Sequence, residues 1–524
     1  NLDAPITATT TGGLTKNGNG TLVLTGANAQ TGTTTINEGT IQLSGTGTLS
    51  GASRPLTIRQ AGTFDLNGVN SGVAIGALNG AGVITNKVAS TATLTIGNGI
   101  TTATNSVFSG TIQKPDNVAS LIHVTVTGAP TGVLVVNQAL TGLNTYTGVT
   151  TISNTGAGSV ILQATSLANG GVASSIGAST SAASNLVFNG GILQYTGSTA
   201  QIYQTTQTPS VSIDRLFTLA GNGTIQSSGT YGNDILAAGV QNNATLIFNN
   251  TADVGFAGSG TRTLTLGGTS TGDNTFNIHL INNTFANEAL SLTKADGGLW
   301  ILNPSTANTY SGPTTILAGQ LQAVDGSGLS SNSALRLAGG VFQTSGTFTR
   351  AIGTGAGQVA WTDAAGTGVN QNGGFAASNS KLTINLGGNL TPSTIQWGTG
   401  GIGNGTGTLI LSSATAWADV EVINGIDLNN GNRSIQVDDN GNTGLDFATI
   451  SGVISNTTGT GVLTKTGGGT LILGDANTYN GNTNLTNGSV VVTSIGNSSG
   501  TTASSLGASG GSLNLGSGTN TVNL

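Results

Sequence analysis

Short runs of alternating apolar and polar residues, each closed by glycine or asparagine, fill this chain. Thr21-Leu22-Val23-Leu24-Thr25 and Thr263-Leu264-Thr265-Leu266 alternate along the chain, the period of a half-buried strand. Thr, Val, Ile, Asn and Gly dominate, while Glu, Lys and Arg are scarce and Met is absent, which argues against helix. The pattern predicts an all-β chain of very short strands.

The strands belong to a longer repeat. Residues 12–43 read GGLTKNGNGTLVLTGANAQTGTTTINEGTIQL, with further copies at 292–321 and 463–490 and a partial copy at 133–152. Tyr146, Tyr310 and Tyr479 hold one slot in three of the copies, and Gln30 holds it in the first. Spacer coils occupy 44–132, 153–291, 322–462 and 491–524. Such nesting predicts one continuous parallel β-solenoid over 1–524, with coils of roughly 20–25 residues stacked about 4.8 Å apart. Leu22 and Leu24 would face inward and Val23 outward, Gly would take the corners, and Asn would bond its equivalent in the next coil. Lys16, Lys294 and Lys465 share one slot, expected on the solvated outer face. Trp300, read at a Val23-like position, is expected to face solvent.

Composition narrows the class. The chain has 524 residues, 86 of them glycine, only 6% charged and 36% hydrophobic, with mean hydropathy +0.12. Disorder is disfavoured because hydrophobicity is too high, and collagen is excluded by 8 prolines and no three-residue glycine period. Thirteen basic and nineteen acidic residues are thinly spread, leaving no basic cluster for nucleic acid. No apolar run approaches the roughly 20 residues of a membrane helix. The absence of Cys fits export without disulfides. A chain that starts at Asn1 and lacks Met is expected to be processed or part of something longer.

The pattern LTK–G–GTLxL–NTY–xG–xTTI–G resembles the autotransporter-associated β-strand repeat, or passenger-associated transport repeat. Leu14-Thr15-Lys16, Leu292-Thr293-Lys294 and Leu463-Thr464-Lys465 carry its opening; Asn308-Thr309-Tyr310 with Gly312, and Asn477-Thr478-Tyr479 with Gly481, carry its centre. The resemblance implies a right-handed parallel β-helix with glycine-rich turns and irregular loops, exported to a bacterial surface, with no catalytic residues. A membrane β-barrel, which a complete autotransporter carries, has no pattern in the last hundred residues, whose aromatics are Phe447 and Tyr479.

Candidate chemistry is sparse. Asp438, Asp439, Asn440 and Asn442 surround Gly441 with the composition of a Ca²⁺ loop, without EF-hand spacing; a plain polar turn is the simpler reading. No other cofactor is expected. Trp361, Trp397 and Trp417 form a candidate glycan-contact set. His123 and His279 sit in apolar strands and read as wall positions rather than metal ligands. Three functions follow as expectations. The first is an extracellular structural solenoid that self-associates through open β-helix ends into a fibre, since neither NLDAPITATT nor SLNLGSGTNTVNL resembles a cap. The alternative is an autotransporter-type passenger that binds a glycan or cell-surface ligand as an adhesin. A polysaccharide-active β-helix enzyme comes third, disfavoured because Glu38, Glu288 and Glu421 are the only glutamates.

Overall fold

The computed structural model describes residues 2–3, 5–6, 12–49, 53–69, 72–116, 118–197, 211–230, 243–363, 365–398, 400–474, 476–496, 502–508, 511–516 and 522–523. Much of 1–10 and residue 524, expected to be extended, lie outside them. The described residues form short strands with one 3₁₀ turn at Ala183–Asn185 and no α-helix. Nearly all pairings are parallel, as expected of a parallel β-helix. The exception among strands is the antiparallel pair Gly229–Thr230 and Asn243–Ala244. The chain packs as two compact units, Asn1–Ile278 with Asn283–Glu288, and His279–Asn282 with Ala289–Leu524.

In the first unit the long strand Thr34–Leu43 bends across two pairings. Its first half lies beside Leu14–Lys16 and its second half beside Thr21–Leu24. Leu14 faces Thr34, Thr34 faces Leu56 and Leu56 faces Leu78, a succession of short coils of nearly equal length. A separate sheet stacks Val73–Ile75, Thr91–Ile96, Leu121–Val126, Thr150–Ser153, Leu186–Asn189, Thr218–Leu219 and Gly255–Phe256 in chain order. Its coils lengthen: Thr150 faces Leu186, and the chain travels 36 residues between the bonded side chains of Ser153 and Asn189. Leu24, Ile36, Ile41, Leu43, Leu56 and Ile58 are buried, the inward set that strand alternation dictates. Further along, Phe188, Phe217, Phe248 and Phe276 form an aromatic column, with successive centroids 5.3, 6.1 and 5.5 Å apart.

The second unit repeats the plan. Leu292 faces Thr314, Thr314 faces Leu335 and Leu335 faces Val359, again short coils in succession. A third side is built by Ile395–Gly398, Ile402–Gly403, Ile426–Asp427 and Ile454–Ser455. Trp300, expected outside, is buried. Counted from the motif lysine, it occupies the Leu22 slot, and it stacks on Leu321, which stacks on Phe342, which stacks on Phe375. The inward ladder therefore takes the indole.

Polar ladders line the outside, as expected for Asn. Asn37 Nδ2 donates to Asn17 Oδ1 at 2.7 Å, Asn137 Nδ2 to Asn105 Oδ1 at 3.1 Å and Asn514 Nδ2 to Asn484 Oδ1 at 2.7 Å. Exposed amide pairs contribute little individually, but they hold neighbouring coils in register.

Stability is expected to track the inward columns. Phe217→Ala should cost about 3–5 kcal/mol in urea unfolding, whereas Val133→Ser, on an exposed position, should stay within about 0.5 kcal/mol.

Candidate functional site: the repeated corner

A coil leaves its sheet at each corner, and there backbone carbonyls lose the partners that adjacent strands supply. Buried, such groups must be paired. The repeated motif pairs them with side chains, in the same geometry each time.

The lysine comes first. Lys16, Lys294 and Lys465 were expected on the outer face, but all three are buried. Lys294 Nζ donates to Ala295 O at 2.5 Å, Asp296 O at 2.7 Å and Ala318 O at 3.1 Å. Lys465 Nζ donates to Thr466 O and Gly467 O at 2.8 Å and to Asn487 O at 3.1 Å. Lys16 Nζ repeats this on Asn17 O, Gly18 O and Glu38 O, at 2.9, 2.5 and 3.2 Å. An ammonium has three donors and no acceptor, so each lysine is fully used. Two acceptors lie in its own turn and the third in the following coil, which explains the inward turn of a charged residue. Burial lowers Lys294 to about 8, opposed by Asp296, and lowers Lys465 to about 8, opposed by Asp438.

The residue after the third acceptor is always glycine. Gly39, Gly319 and Gly488 have φ of 69°, 63° and 73°. A Cβ on Gly319 would lie 2.5 Å from Asp296 O and from Gly298 O in the turn of the preceding coil. Only glycine allows both that conformation and that approach.

The asparagine links three coils. Asn308 Oδ1 accepts from Leu280 N at 2.8 Å while its Nδ2 donates to Gly328 O at 2.7 Å. Asn477 joins Ile454 N and Ser505 O at 2.7 and 2.8 Å, and Asn144 joins Ile112 N and Ser175 O at 2.8 and 3.0 Å. Asn28 in the first copy joins Ile6 N and Thr48 O at 2.8 and 2.7 Å. Two positions on, the buried tyrosine hydroxyl shares a hydrogen bond with the threonine one β-turn later: Tyr146 with Thr150 at 2.8 Å, Tyr310 with Thr314 at 2.7 Å, Tyr479 with Thr483 at 2.6 Å. Gln30 does the same work in the first copy, donating to Thr34 Oγ1 at 3.5 Å and Leu49 O at 2.5 Å. Burial pushes Tyr479 up to about 12, against the Thr483 bond, and raises Tyr146 and Tyr310 in the same direction.

The chemistry of this corner is structural: it satisfies backbone groups. The other candidates are dispersed. Asp438 Oδ1 accepts from Gln436 Nε2 at 2.8 Å, Asp439 points to solvent, and Asn440 is buried. Asn440 Nδ2 donates to Ala416 O at 2.8 Å and its Oδ1 accepts from Asn442 N and Nδ2 at 3.2 and 3.1 Å. Asn440 N donates to Asp446 Oδ2 at 2.6 Å. These contacts make a closed polar turn in which Asn440 Oδ1 serves the turn itself. Trp361 and Trp397 are buried, their indoles donating to Gly373 O at 2.8 Å and Gly407 O at 3.2 Å, so neither offers a ring to a sugar. Trp417, 52% exposed, alone of the three reaches solvent. His123 Nδ1 accepts from Val149 N at 2.9 Å and His279 Nε2 lies 3.0 Å from Ala307 O, both wall contacts. Lys381 bridges Asp419 and Glu421 at 3.6 and 2.7 Å. Among the described residues no helix is long and apolar enough to cross a membrane.

The motif pattern does not reveal the inward lysine, the three-coil role of the asparagine, or a set of buried arginines. A lysine that always precedes a glycine turn, with another glycine always waiting one coil further on, was the available signal.

Removing the asparagine should be costly. Asn308→Ala leaves Leu280 N and Gly328 O buried without a partner and should lower unfolding free energy by about 2–4 kcal/mol, while Asn19→Ala, in an exposed turn, should change it by less than about 0.5 kcal/mol. The titrations set a pH profile. Lys294 and Lys465 bind protons more weakly folded (about 8) than unfolded (10.5), so stability should rise with pH between those values. Tyr479 ionises at 10.0 unfolded but about 12 folded, so its contribution is lost above pH 10.0. Urea midpoints should therefore peak near pH 10, with Lys465→Met flattening the rise and Tyr479→Phe the fall.

Residues 14–43, 131–154, 292–323 and 463–492 match the passenger-associated-transport-repeat. The chain is also 36% identical over 293 residues to the adhesin BmaC autotransporter of Brucella suis biovar 1 (strain 1330), a match covering 55% of this chain and 7% of that protein. No solved structure matches. The corners described above thus belong to four copies of the passenger-associated transport repeat, each set among parallel strands.

Proposed function

We propose that this chain is part of the surface-exposed passenger of an autotransporter-type bacterial protein, a non-enzymatic β-solenoid that takes part in adhesion. The observation that carries this reading is the similarity to the Brucella suis adhesin together with four transport repeats. The chain works outside the cell, where a fold that needs no disulfide and caps its own corners is well suited to export. The adhesin reading is preferred to end-to-end fibre formation because the curated relative is an adhesin. Ligand contact falls on the irregular coils of 153–291 and 322–462 rather than on the repeats, whose conspicuous side chains are spent on the backbone. Within 322–462, Trp417 is the exposed aromatic of the candidate glycan set.

Beads coated with the purified chain should adhere to epithelial cells at least several-fold above albumin-coated beads, and Trp417→Ala should reduce this without changing the circular dichroism spectrum. Adhesion no greater than albumin would overturn the reading. Long filaments in negative-stain micrographs of non-adhering protein would favour the fibre instead.

A further inference from the structure

Asn-Gly steps occur fifteen times in this chain. Such a step can close on itself, because no side chain on the glycine hinders attack by its nitrogen on the asparagine amide carbon. By sequence the fifteen are alike; the fold distinguishes them by what surrounds the nitrogen and the amide. Asn424-Gly425 is one extreme. Asn424 is buried, its Oδ1 accepts from Leu386 N at 2.7 Å, and its Nδ2 donates to Leu386 O and Ser393 O at 3.1 and 3.0 Å. That amide is spent on the stack.

Asn169-Gly170 is the other extreme. It opens a turn in a spacer coil, closed by Val172 N on Asn169 O at 3.1 Å. Gly170 is wedged in place, since a Cβ on it would lie 2.3 Å from Ser181 N. Its N–H donates to Asp214 Oδ1 at 2.7 Å. In return, Asp214 N donates to Asn169 Oδ1 at 3.0 Å. Asn169 Nδ2 has no acceptor among the described residues.

Asp214 is held on both sides. Asn250 Nδ2 donates to its carbonyl oxygen at 2.8 Å. The next residue, Arg215, is buried and donates to Ala168 O at 3.0 Å, Ser179 Oγ at 2.8 Å and Gly177 O at 2.9 Å. Arg215 Nη2 also reaches Asn169 O at 3.4 Å, the carbonyl of the peptide whose nitrogen is Gly170 N.

These contacts match the needs of ring closure atom by atom. A carboxylate at hydrogen-bond distance from the attacking N–H is placed as a general base. The Asp214 N–H sits on the oxygen where negative charge gathers as the amide carbon becomes tetrahedral. The guanidinium on Asn169 O draws electrons from the peptide and makes its N–H more acidic. Nδ2, the leaving group, is unspent.

We propose that Asn169 is a self-modifying site, converted from amide to acid through a cyclic imide with Asp214 as the base. Gly170 N bonds to Asn169 Cγ as its proton passes to Asp214 Oδ1. The tetrahedral carbon then expels Nδ2, which takes that proton and leaves as ammonia. Water adds to one carbonyl of the resulting succinimide and opens it to aspartate or isoaspartate. One amide and one water thus give one acid and one ammonia, with no oxidation or reduction, once per chain. Either product adds a carboxylate to the 153–291 spacer, and isoaspartate also lengthens the main chain of the turn by one carbon. This goes beyond adhesion, since it is a reaction of the chain on itself and stands apart from any ligand.

The test holds the full chain in neutral buffer for weeks and follows residue 169 by mass spectrometry and by isoaspartyl methyltransferase labelling. A synthetic peptide of residues 165–174, TSLANGGVAS, gives the rate of the same step without the fold. Asn169 should lose its amide, as succinimide, aspartate or isoaspartate, several-fold faster in the chain than in the peptide, while Asn424 keeps its own. Asp214→Asn retains an acceptor for Gly170 N but removes the base, and should slow the loss at least about tenfold with an unchanged circular dichroism spectrum. The comparison with the peptide needs no variant and decides by itself if Asp214→Asn does not fold. A rate in the chain no faster than in the peptide, a rate unmoved by Asp214→Asn in the folded variant, or scission of the 169–170 bond in place of amide loss would each overturn the proposal.

Discussion

The structure depends on pairing the backbone carbonyls that a β-helix buries wherever its chain turns a corner. Parallel strands satisfy one another along the straight segments, but a turn does not, and an unpaired buried carbonyl costs roughly 1–3 kcal/mol. This chain pairs them with inward-turned cations and amides. Lys16, Lys294, Lys465, Arg215, Arg350 and Arg433 are all buried, in a chain with only 6% charged residues. Most of their partners are carbonyl oxygens. Arg433, for instance, donates to Leu428 O at 2.8 Å and Gly405 O at 2.5 Å. A carbonyl-lined site suits a cation because it supplies partial negative charge without a second ion to desolvate.

That requirement divides the chain into two kinds of coil. Where the full Lys–Asn–Tyr set is present, the coil is held near its minimum length: Thr464 and Asn484, bonded through their side chains one coil apart, are separated by 20 residues. The swollen coils lie outside the set: Asn372 and Thr408, bonded across one of them, are 36 residues apart. The repeat coils thus spend their conspicuous polar groups on the backbone. Two of the tyrosine corners extend the same rule, because a later coil closes their carbonyls with an arginine, Arg215 at Tyr146 and Arg350 at Tyr310.

Much of the fold was legible in the sequence. The two-residue alternation of Thr21–Leu24 implied strand, the recurrence of LTK and NTY implied a repeating coil, and glycine at each turn marked the corners. The outward Asn ladders were also legible, since Asn17 and Asn37 lie one coil apart in a chain whose coil length could be counted. The inward turn of the motif lysine was not legible, because a charged residue in an alternating strand ordinarily faces water, and the three carbonyls that draw it inward come from two different coils. The burial of Trp361 and Trp397 was hidden for a related reason. Aromatic residues serve equally as a sugar platform and as core filling, and only the ladder above and below decides between them.

The sequence by itself therefore determined the class of fold and the period of the repeat coils, but not the longer spacer coils of up to 36 residues, because alternation is a property of the local chain. Only the tertiary structure decided which polar side chains turned inward and which tryptophan remained at the surface. Those outcomes depend on acceptors a coil or more away along the chain, such as Asn487 O for Lys465 and Gly177 O for Arg215, brought within hydrogen-bond range only when one coil lies on the next.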